Sequence, residues 1–527
     1  MTDLATVDWA AAPPRVTVPA RYNASADFID RNLQAGRGDK VAIVDDTGSH
    51  SYADLAVRVN KAGNMLRGLG VAAGDRVLIC LLDSIDFPAA FFGAIKIGAV
   101  PVPVNTLLTP KDYDYMLRDS EAGVLVVSDA LLPSFDPVLP EQPHLKTVVV
   151  SGAGAGAHQR FATLVDEASS ELDAELTDAD GPGFWLYSSG STGAPKGVVH
   201  RQSDLINTAV LYGVGVLGIR EDDVVFSAAK LFFAYGLGNA MSFPLFVGAT
   251  AVLMAERPTP ESVMKRLYDH QATIFYGVPT LFGAILADES LDKSSGSDRL
   301  RACVSAGEAL PEDIANRWVS RFGVDILDGI GSTELLHIFL SNQPGDIRYG
   351  TTGKAVPGYR LKLVDEDDGE VAPGEIGELV VSGPSSAMSY WNNPEKSGQT
   401  FVGEWTRTGD KYTTDADGYY IYSGRSDDML KVGGIWVSPF EVESALVAHD
   451  AVLEAAVVGE TDADDLVKPK AFIVLNQGVE PSEATAAELQ AFVKQRLAPY
   501  KYPRWVEFAT ELPKTATGKI QRFKLRQ

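Results

Sequence analysis

The chain has 527 residues, of which 45% are hydrophobic and 22% charged, and a formal net charge of -24. That composition fits a globular protein of two to four domains, and the negative charge argues against nucleic acid or an anionic membrane as the main partner. It leaves room for small anionic substrates, because a few local cations can dominate inside a pocket.

Cys80 and Cys303 lie in apolar or small-residue runs, RVLIC and RACVSAG. They are expected to pack as small hydrophobes in a reducing compartment, without a disulfide or metal framework. The N-terminus carries carboxylates where a signal peptide would be basic, and no apolar run approaches 18 residues. The expected location is cytoplasmic.

In chain order, GDRVLICLL predicts a buried strand, FPAAFFGAIKIG an apolar helix and AVPVPVN another extended piece. SGAGAGA at 151–157 predicts a surface loop. Ser203 is the expected cap of the helix in RQSDLINTAVLY. TIFYGVP, RACVSAG and VDILDGIGS repeat the pattern of a short apolar strand ending in turn residues, which predicts α/β layers with ligand loops at the strands' carboxyl ends.

From about Gly350 the runs RLKLVD, GELVVSG and GYYIYSG, separated by Gly, Pro and Asp, predict antiparallel hairpins. After GRSDDMLK at 424–431 a segment of roughly a hundred residues suits a small α+β domain. Domains are thus expected at 1–426 and 427–527, with the junction near Asp427.

Five stretches carry chemistry. In YSSGSTGAPKGVVH, Ser188, Ser189, Ser191 and Thr192 supply hydroxyl donors, and Gly190, Gly193 and Gly197 let backbone approach an anion. Lys196 adds charge. The spacing is not that of a Walker loop, and the bland alternative is a flexible linker. In DGIGSTE, Thr333 and Glu334 project together, which suits a phosphate oxygen and hydrated Mg²⁺; a plain turn with a helix cap is the alternative. In TRTGD and SGRSDDMLKVGG, Asp410 can accept from ribose hydroxyls and Arg425 can donate to one, unless Arg425 merely pairs with Asp427 or Asp428. The terminal PKTATGKIQRFKLRQ has five cations and no carboxylate. Lys519, on a glycine turn behind a proline, is aimed at something negative, unless the tail is merely a solvated basic terminus.

Taken together, YSSGSTGAPKG, DGIGSTE, TGD, GRSDDMLK and PKTATGKIQR resemble, in order and spacing, the adenylate-forming (ANL) superfamily of acyl-CoA synthetases, adenylation domains and luciferases. The resemblance runs from about Val41 to the end. It implies a large domain of two α/β-layered subdomains plus a β-rich subdomain, and a small mobile C-terminal domain. It also implies ATP, Mg²⁺ and coenzyme A as cofactors or co-substrates, and a carboxylic acid activated through its adenylate. The partners expected are small molecules, with no nucleic acid and no membrane, and a homodimer is left open.

By the same resemblance, Lys519 contacts the acid's carboxylate and the α-phosphate, with Thr333 and Glu334 as further catalytic groups and Glu334 on the metal. A unit charge pair at about 4 Å contributes roughly 4 kcal/mol at an effective dielectric of 20, around three decades of rate if realised in the transition state. Gly307, Glu308 and Ala309 form one adenine wall, and Asp328, Gly329, Ile330, Gly331 and Ser332 line the nucleotide from the strand end. A common family pattern has an aromatic residue where this chain has Ile330. Rotation about Asp427 then withdraws Lys519 and brings in Lys431, Gly433, Gly434 and Trp436 to pass pantetheine. Lys519 is also a candidate for reversible acetylation.

The acid-pocket stretches are KLFFAYGLGNA, VSAGEAL and LLHIF. Phe233 stands where amino-acid-activating domains carry an aspartate, so an amino acid is not expected. Phe233, Ala234, Tyr235, Gly236, Gly331, Leu336, His337 and Ile338 make a short aromatic-rich pocket suited to a flat ring. KLFFAYGLGN followed by GSTELLHIF resembles benzoate–CoA ligases. Tyr235 either lines the ring or holds its carboxylate, and His337 either approaches the substrate or is a core histidine. The alternatives are a ligase for a substituted benzoate or other small cyclic or aliphatic acid, an aryl adenylating enzyme that loads a carrier protein, and a non-catalytic nucleotide-binding scaffold.

Overall fold

Short runs rich in Val, Ile and Leu, apolar on both sides of the pleat, build parallel sheets that are covered on both faces. In the computed structural model, which describes residues 4–188, 194–426, 428–432, 435–462, 466–514 and 520–526, two such sheets form. The first has five parallel strands in the order Gln159–Arg160, Thr147–Ser151, Val124–Ser128, Arg76–Cys80 and Val100–Pro103.

The second sheet has nine strands. Its parallel centre runs Ile326–Gly331, Ala302–Ser305, Ile274–Gly277, Val224–Ser227, Thr250–Val252 and Val41–Asp45. Ile338–Ser341 and Lys354–Ala355 close one edge antiparallel, and Gly48–Ser51 closes the other.

Helix Tyr52–Gly68 opens on a capping box in which Ser51 and Asp54 satisfy each other's amides. It packs on the apolar helix Asp86–Lys96, where a Cβ on Gly93 would lie 2.8 Å from the Gly63 nitrogen. Two glycines therefore let the helix backbones touch, and alanine at either would push the layers apart. Cys80 and Cys303 are fully buried; burial pushes the Cys80 thiol up to about 12 and the Cys303 thiol in the same direction. Both are packed as unreactive hydrophobes.

The β-rich region forms as expected, with Arg360–Val364, Gly377–Ser382, Trp405–Thr414 and Tyr420–Arg425 pairing antiparallel. Beyond it, helix Pro439–Val447, strands Val452–Thr461, Val467–Leu475 and Trp505–Phe508, and helix Glu483–Arg496 gather around Val442, Leu446, Val457, Ile473, Leu489 and Val493. This is a small lobe with its own core. The expected junction residue, Asp427, lies outside the described residues.

One expectation fails. Ser203 does not cap the helix after the glycine-rich stretch but is its first residue, and Gln202 ahead of it makes no side-chain cap bond. The Asp204 carboxylate takes the Arg201 amide instead, at 3.1 Å. His200 holds that carboxylate in place through Nδ1 at 2.8 Å, so a charged acceptor displaces the neutral hydroxyl.

Candidate active site

Strands Pro182–Ser188 and Lys196–Arg201 pair antiparallel with Ser188 opposite Lys196, so these two residues flank the glycine-rich stretch from facing strand ends. Ser189, Gly190, Ser191, Thr192 and Gly193, expected on phosphate, lie outside the described residues. Lys196 is half-buried, with its Nζ 5.0 Å from the Tyr390 ring centre. Burial lowers its pKa, Glu334 opposes this, and Lys396 and Arg425 reinforce it. A loosely held ammonium facing further cations is suited to a polyanion.

Strand Ile326–Gly331 runs out through Ser332 into the turn Thr333–Leu335. The Thr333 carbonyl accepts from His200 Nε2 at 2.7 Å. Glu334 Oε1 accepts the Tyr390 hydroxyl at 2.9 Å, and the Glu334 carbonyl accepts the Ala387 amide at 2.8 Å. The sequence reading missed His200 and Tyr390. His200 closes the glycine-rich motif and was visible there; Tyr390 lies 56 residues from Glu334 with no motif to mark it.

Buried polar atoms in native proteins are almost always partnered. At this site several of the described residues have one that is not, including Ser188 Oγ, Asp204 Oδ1, Asn239 Nδ2, Asp328 Oδ1, Ser332 Oγ and His337 Nδ1. Burial holds the Asp328 carboxyl well above the usual carboxylate range, against the pull of the Leu310 and Gly329 amides.

The expected nucleotide walls come from neighbouring strand ends. Gly307 (φ +92°), Glu308 and Ala309 follow strand Ala302–Ser305, beside Asp328 and Gly329 on the next strand. Ile330 is half-buried against the main core. Asp410 and Arg425 are cross-strand neighbours, with Arg425 Nη1 3.2 Å from Asp410 Oδ1 and the carboxylate buried beneath it.

Glu308 does more than line a wall. Its Oε1 accepts the Ile520 amide at 3.0 Å, a contact from the small lobe to the large one. Lys519 itself, like Gly433, Gly434 and Asp427, is outside the described residues. Lys431 lies on strand Leu430–Val432, and Trp436 stands opposite it on strand Ile435–Val437.

Of the residues expected to line the acid pocket, Tyr235 lies beside His337, their ring centres 5.7 Å apart. Phe233 precedes the short helix Ala234–Leu237, and a Cβ on Gly236 would fall 2.1 Å from the Lys230 carbonyl oxygen. Tyr235 spends its hydroxyl on the carbonyls of Val304 (3.1 Å) and Gly277 (3.3 Å). Its ring is therefore fixed, and its proton is committed to strand ends. His337 Nε2 faces two acceptors, Asn239 Oδ1 at 3.1 Å and the Tyr235 carbonyl at 3.3 Å, so that nitrogen carries the hydrogen. Burial drives the imidazole pKa down to about 3. The residue is a neutral, half-satisfied histidine packed edge-on to Phe243 at 4.5 Å.

Leu336 has φ +64° and ψ -38°, and the His337 amide bonds back to the Leu335 carbonyl at 2.8 Å. This is a γ-turn at a bulky buried residue, a strained geometry that surrounding structure has to enforce. It reverses the chain between Glu334 and His337. Gly331 fits beneath it, since a Cβ there would be 2.5 Å from the His337 carbonyl oxygen. Ile338 is buried at the start of the returning strand.

For the expected Mg²⁺, the donor set is one carboxylate and one hydroxyl, Glu334 and Thr333. Glu334 has one oxygen on Tyr390, and the outward-running turn carries both residues together. Such a set fits a hydrated Mg²⁺ that draws its remaining ligands from phosphate and water.

The AMP-binding enzyme family matches residues 30–391, and the AMP-binding enzyme C-terminal domain matches residues 441–519. A benzoate–CoA ligase of Thauera aromatica is 63% identical over 528 residues, covering 100% of both chains. A 4-hydroxybenzoate–CoA/benzoate–CoA ligase of Rhodopseudomonas palustris is 50% identical, covering 96% of this chain and 94% of its own. Among solved structures, a benzoate CoA ligase from Burkholderia xenovorans superposes with a TM-score of 0.90 at 52% identity, over 96% of this chain and 100% of that one.

Proposed function

The chain belongs to the AMP-binding enzymes, and from that premise we infer that it activates benzoate with ATP to benzoyl-adenylate and transfers the acyl group to coenzyme A. Pyrophosphate leaves in the first half-reaction and AMP in the second. It is an acid–thiol ligase. The observation that carries the mechanistic reading is the hydrogen bond from Ile520, one residue past Lys519, to Glu308 at the end of a large-lobe strand.

In the first half-reaction two anions meet, the carboxylate and the α-phosphate. An ammonium between them relieves the repulsion at the moment of attack, and Lys519 is the residue assigned to it. Lys196 and the hydroxyl- and glycine-rich sequence at 188–193 neutralise the leaving pyrophosphate. Glu334 and Thr333 would hold Mg²⁺, which supplies charge neutralisation and orientation of the phosphates. Asp328, buried with an unpaired oxygen, supports an adenine contact, and Asp410 with Arg425 supports a ribose contact.

One lysine cannot occupy a site through which a thiol must arrive. Rotation of the small lobe about 427 therefore separates the halves, with Lys431, Gly433, Gly434 and Trp436 lining the thiol's path. The neutral His337 and the fixed Tyr235 ring give the acid pocket an uncharged floor, which favours an unsubstituted aromatic ring over an ammonium-bearing acid. A cytoplasmic enzyme with two inert thiols fits this chemistry.

The test is benzoate-dependent ATP–pyrophosphate exchange, followed by AMP release with CoA measured against release with a holo-carrier protein. Exchange with benzoate and release with CoA are expected. A panel of 2-aminobenzoate, 4-hydroxybenzoate and cyclohexanecarboxylate separates the substituted-ring alternative; turnover of any of these well above benzoate would replace the substrate assignment. No exchange with any aromatic acid would leave a nucleotide-binding scaffold.

A further inference from the structure

The stretch that bears Lys519 is fastened on both sides, and by charge. Before it, Lys514 pairs with Glu454. Lys514 and Ile520 form an isolated antiparallel bridge, and the Gln521 amide donates to the Pro513 carbonyl at 2.8 Å. Two residues further on stands Arg522, the last residue of the PKTATGKIQR motif and one to which the chemistry gives no task.

Arg522 directs Nε and Nη2 at Glu443, at 3.0 and 2.7 Å, in the two-pronged geometry that only a guanidinium supplies. Its Nη1 lies 3.8 Å from Asp428 Oδ2, and Arg526 takes the other Asp428 oxygen. Glu443 is buried on helix Pro439–Val447 and also accepts the Val457 amide at 2.7 Å. Asp428 is the residue immediately after the crossing at 427. The cations that flank the lysine stretch are thus tied both to the small-lobe core and to the point where the chain leaves the large lobe.

We propose that Arg522 is a positioning residue for adenylate formation, its fork onto Glu443 and Asp428 setting the backbone that carries Lys519 at a fixed offset from residue 427. This rests on the two-step reading given above. The physical reason lies in the lever. An ammonium at the end of a four-carbon stem has little stiffness of its own, and a misplacement of about 1 Å at a reacting centre can reduce rate about 100-fold. Residues 515–518, Thr-Ala-Thr-Gly, offer no bulky side chain to pack, so placement must come from the ends. A clamp that joins the stretch to Asp428 moves with the lobe as one piece. It matters in the half-reaction that uses Lys519 and is idle in the one from which Lys519 has withdrawn.

The experiment compares Arg522→Lys and Glu443→Gln with the parent, each as the full chain. Three readouts are taken: kcat and KM for ATP and benzoate in pyrophosphate exchange, the rate of thioester formation from supplied benzoyl-adenylate and CoA, and the thermal midpoint. Arg522→Lys keeps the charge and loses the fork. It is expected to lower exchange kcat at least tenfold, with both KM values and the thioester rate within twofold of the parent. Glu443→Gln keeps one acceptor and the Val457 bond, and is expected to give a smaller loss in the same half-reaction.

Equal losses in both halves would make the clamp a stability element and overturn the proposal. So would an unchanged exchange rate, or a raised KM for ATP, which would make Arg522 a substrate contact. If Arg522→Lys does not fold, the Glu443→Gln ratio of the two half-reactions decides alone, by the same criteria. A parent with no benzoate exchange overturns the functional reading and this proposal with it; an active parent with an indifferent Arg522→Lys overturns this proposal only.

Discussion

Tyr390 donates its phenolic hydrogen to Glu334 Oε1 at 2.9 Å, and the same ring lies beneath the Lys196 ammonium at 5.0 Å. One side chain thus orients the carboxylate assigned to the metal and seats the cation assigned to the phosphates. Tyr390→Phe keeps the ring and removes the hydroxyl. Groups that orient a metal ligand are typically worth about 10–100-fold in metal affinity or activity. The half-saturating Mg²⁺ concentration in the exchange reaction should rise about tenfold, with the thermal midpoint nearly unchanged. An unaltered Mg²⁺ dependence would remove Tyr390 from the site.

Lys519→Ala separates the half-reactions. Pyrophosphate exchange should fall by roughly three decades, the rate equivalent of about 4 kcal/mol of lost charge pairing. Thioester formation from supplied benzoyl-adenylate should persist near the parent rate. Equal loss in both would contradict the lobe rotation.

His337 makes stability depend on pH. Burial holds its folded pKa at about 3, below the ordinary 6.5. Between those values the unfolded chain takes up a proton that the folded chain refuses. Stability therefore rises with pH through that window, is complete above 6.5 and is lost as pH falls toward 3. His337→Asn has no such group. From pH 7 to 4.5 the parent should lose on the order of 2–3 kcal/mol more than the variant, read from urea midpoints; parallel losses would refute the assignment.

Gly331→Ala places a methyl 2.5 Å from the His337 carbonyl oxygen. The γ-turn must shift, at about 1–3 kcal/mol of stability for an overpacked site. Because that turn carries His337, assigned to the acid pocket, KM for benzoate should rise more than KM for ATP. Equal rises, or none, would show that the turn gives way without moving the pocket.

What could be read from the sequence was what repeats locally. Apolar runs such as RVLIC and TIFYGVP became strands because short runs of three apolar residues, Val77–Ile79 and Ile274–Tyr276, bury both faces of the pleat in a covered sheet. The stretches that hold Tyr235 and His337 come together because each follows a strand of the same sheet. What could not be read was set by pairs far apart in the chain. Tyr390 finds Glu334, Asn239 finds His337, and Glu443 finds Arg522 across 79 residues. None of these partners announces itself by composition. The Ser203 cap failed for a more local reason: Asp204, four residues past His200, takes the Arg201 amide while His200 holds its carboxylate. The reversal at Leu336 had no glycine or asparagine to mark it.

That reversal carries an evolutionary consequence. Two residues separate the Glu334 carboxylate, assigned to the activation chemistry, from the His337 imidazole, assigned to the acid pocket, and the strained Leu336 between them positions both. Substitutions at 336–338 that reshape taste for the acid will disturb the machinery of activation as well. The opposite wall, at 233–236, hangs from a different strand and carries no such burden, so lineages that acquire new ring preferences should change there first.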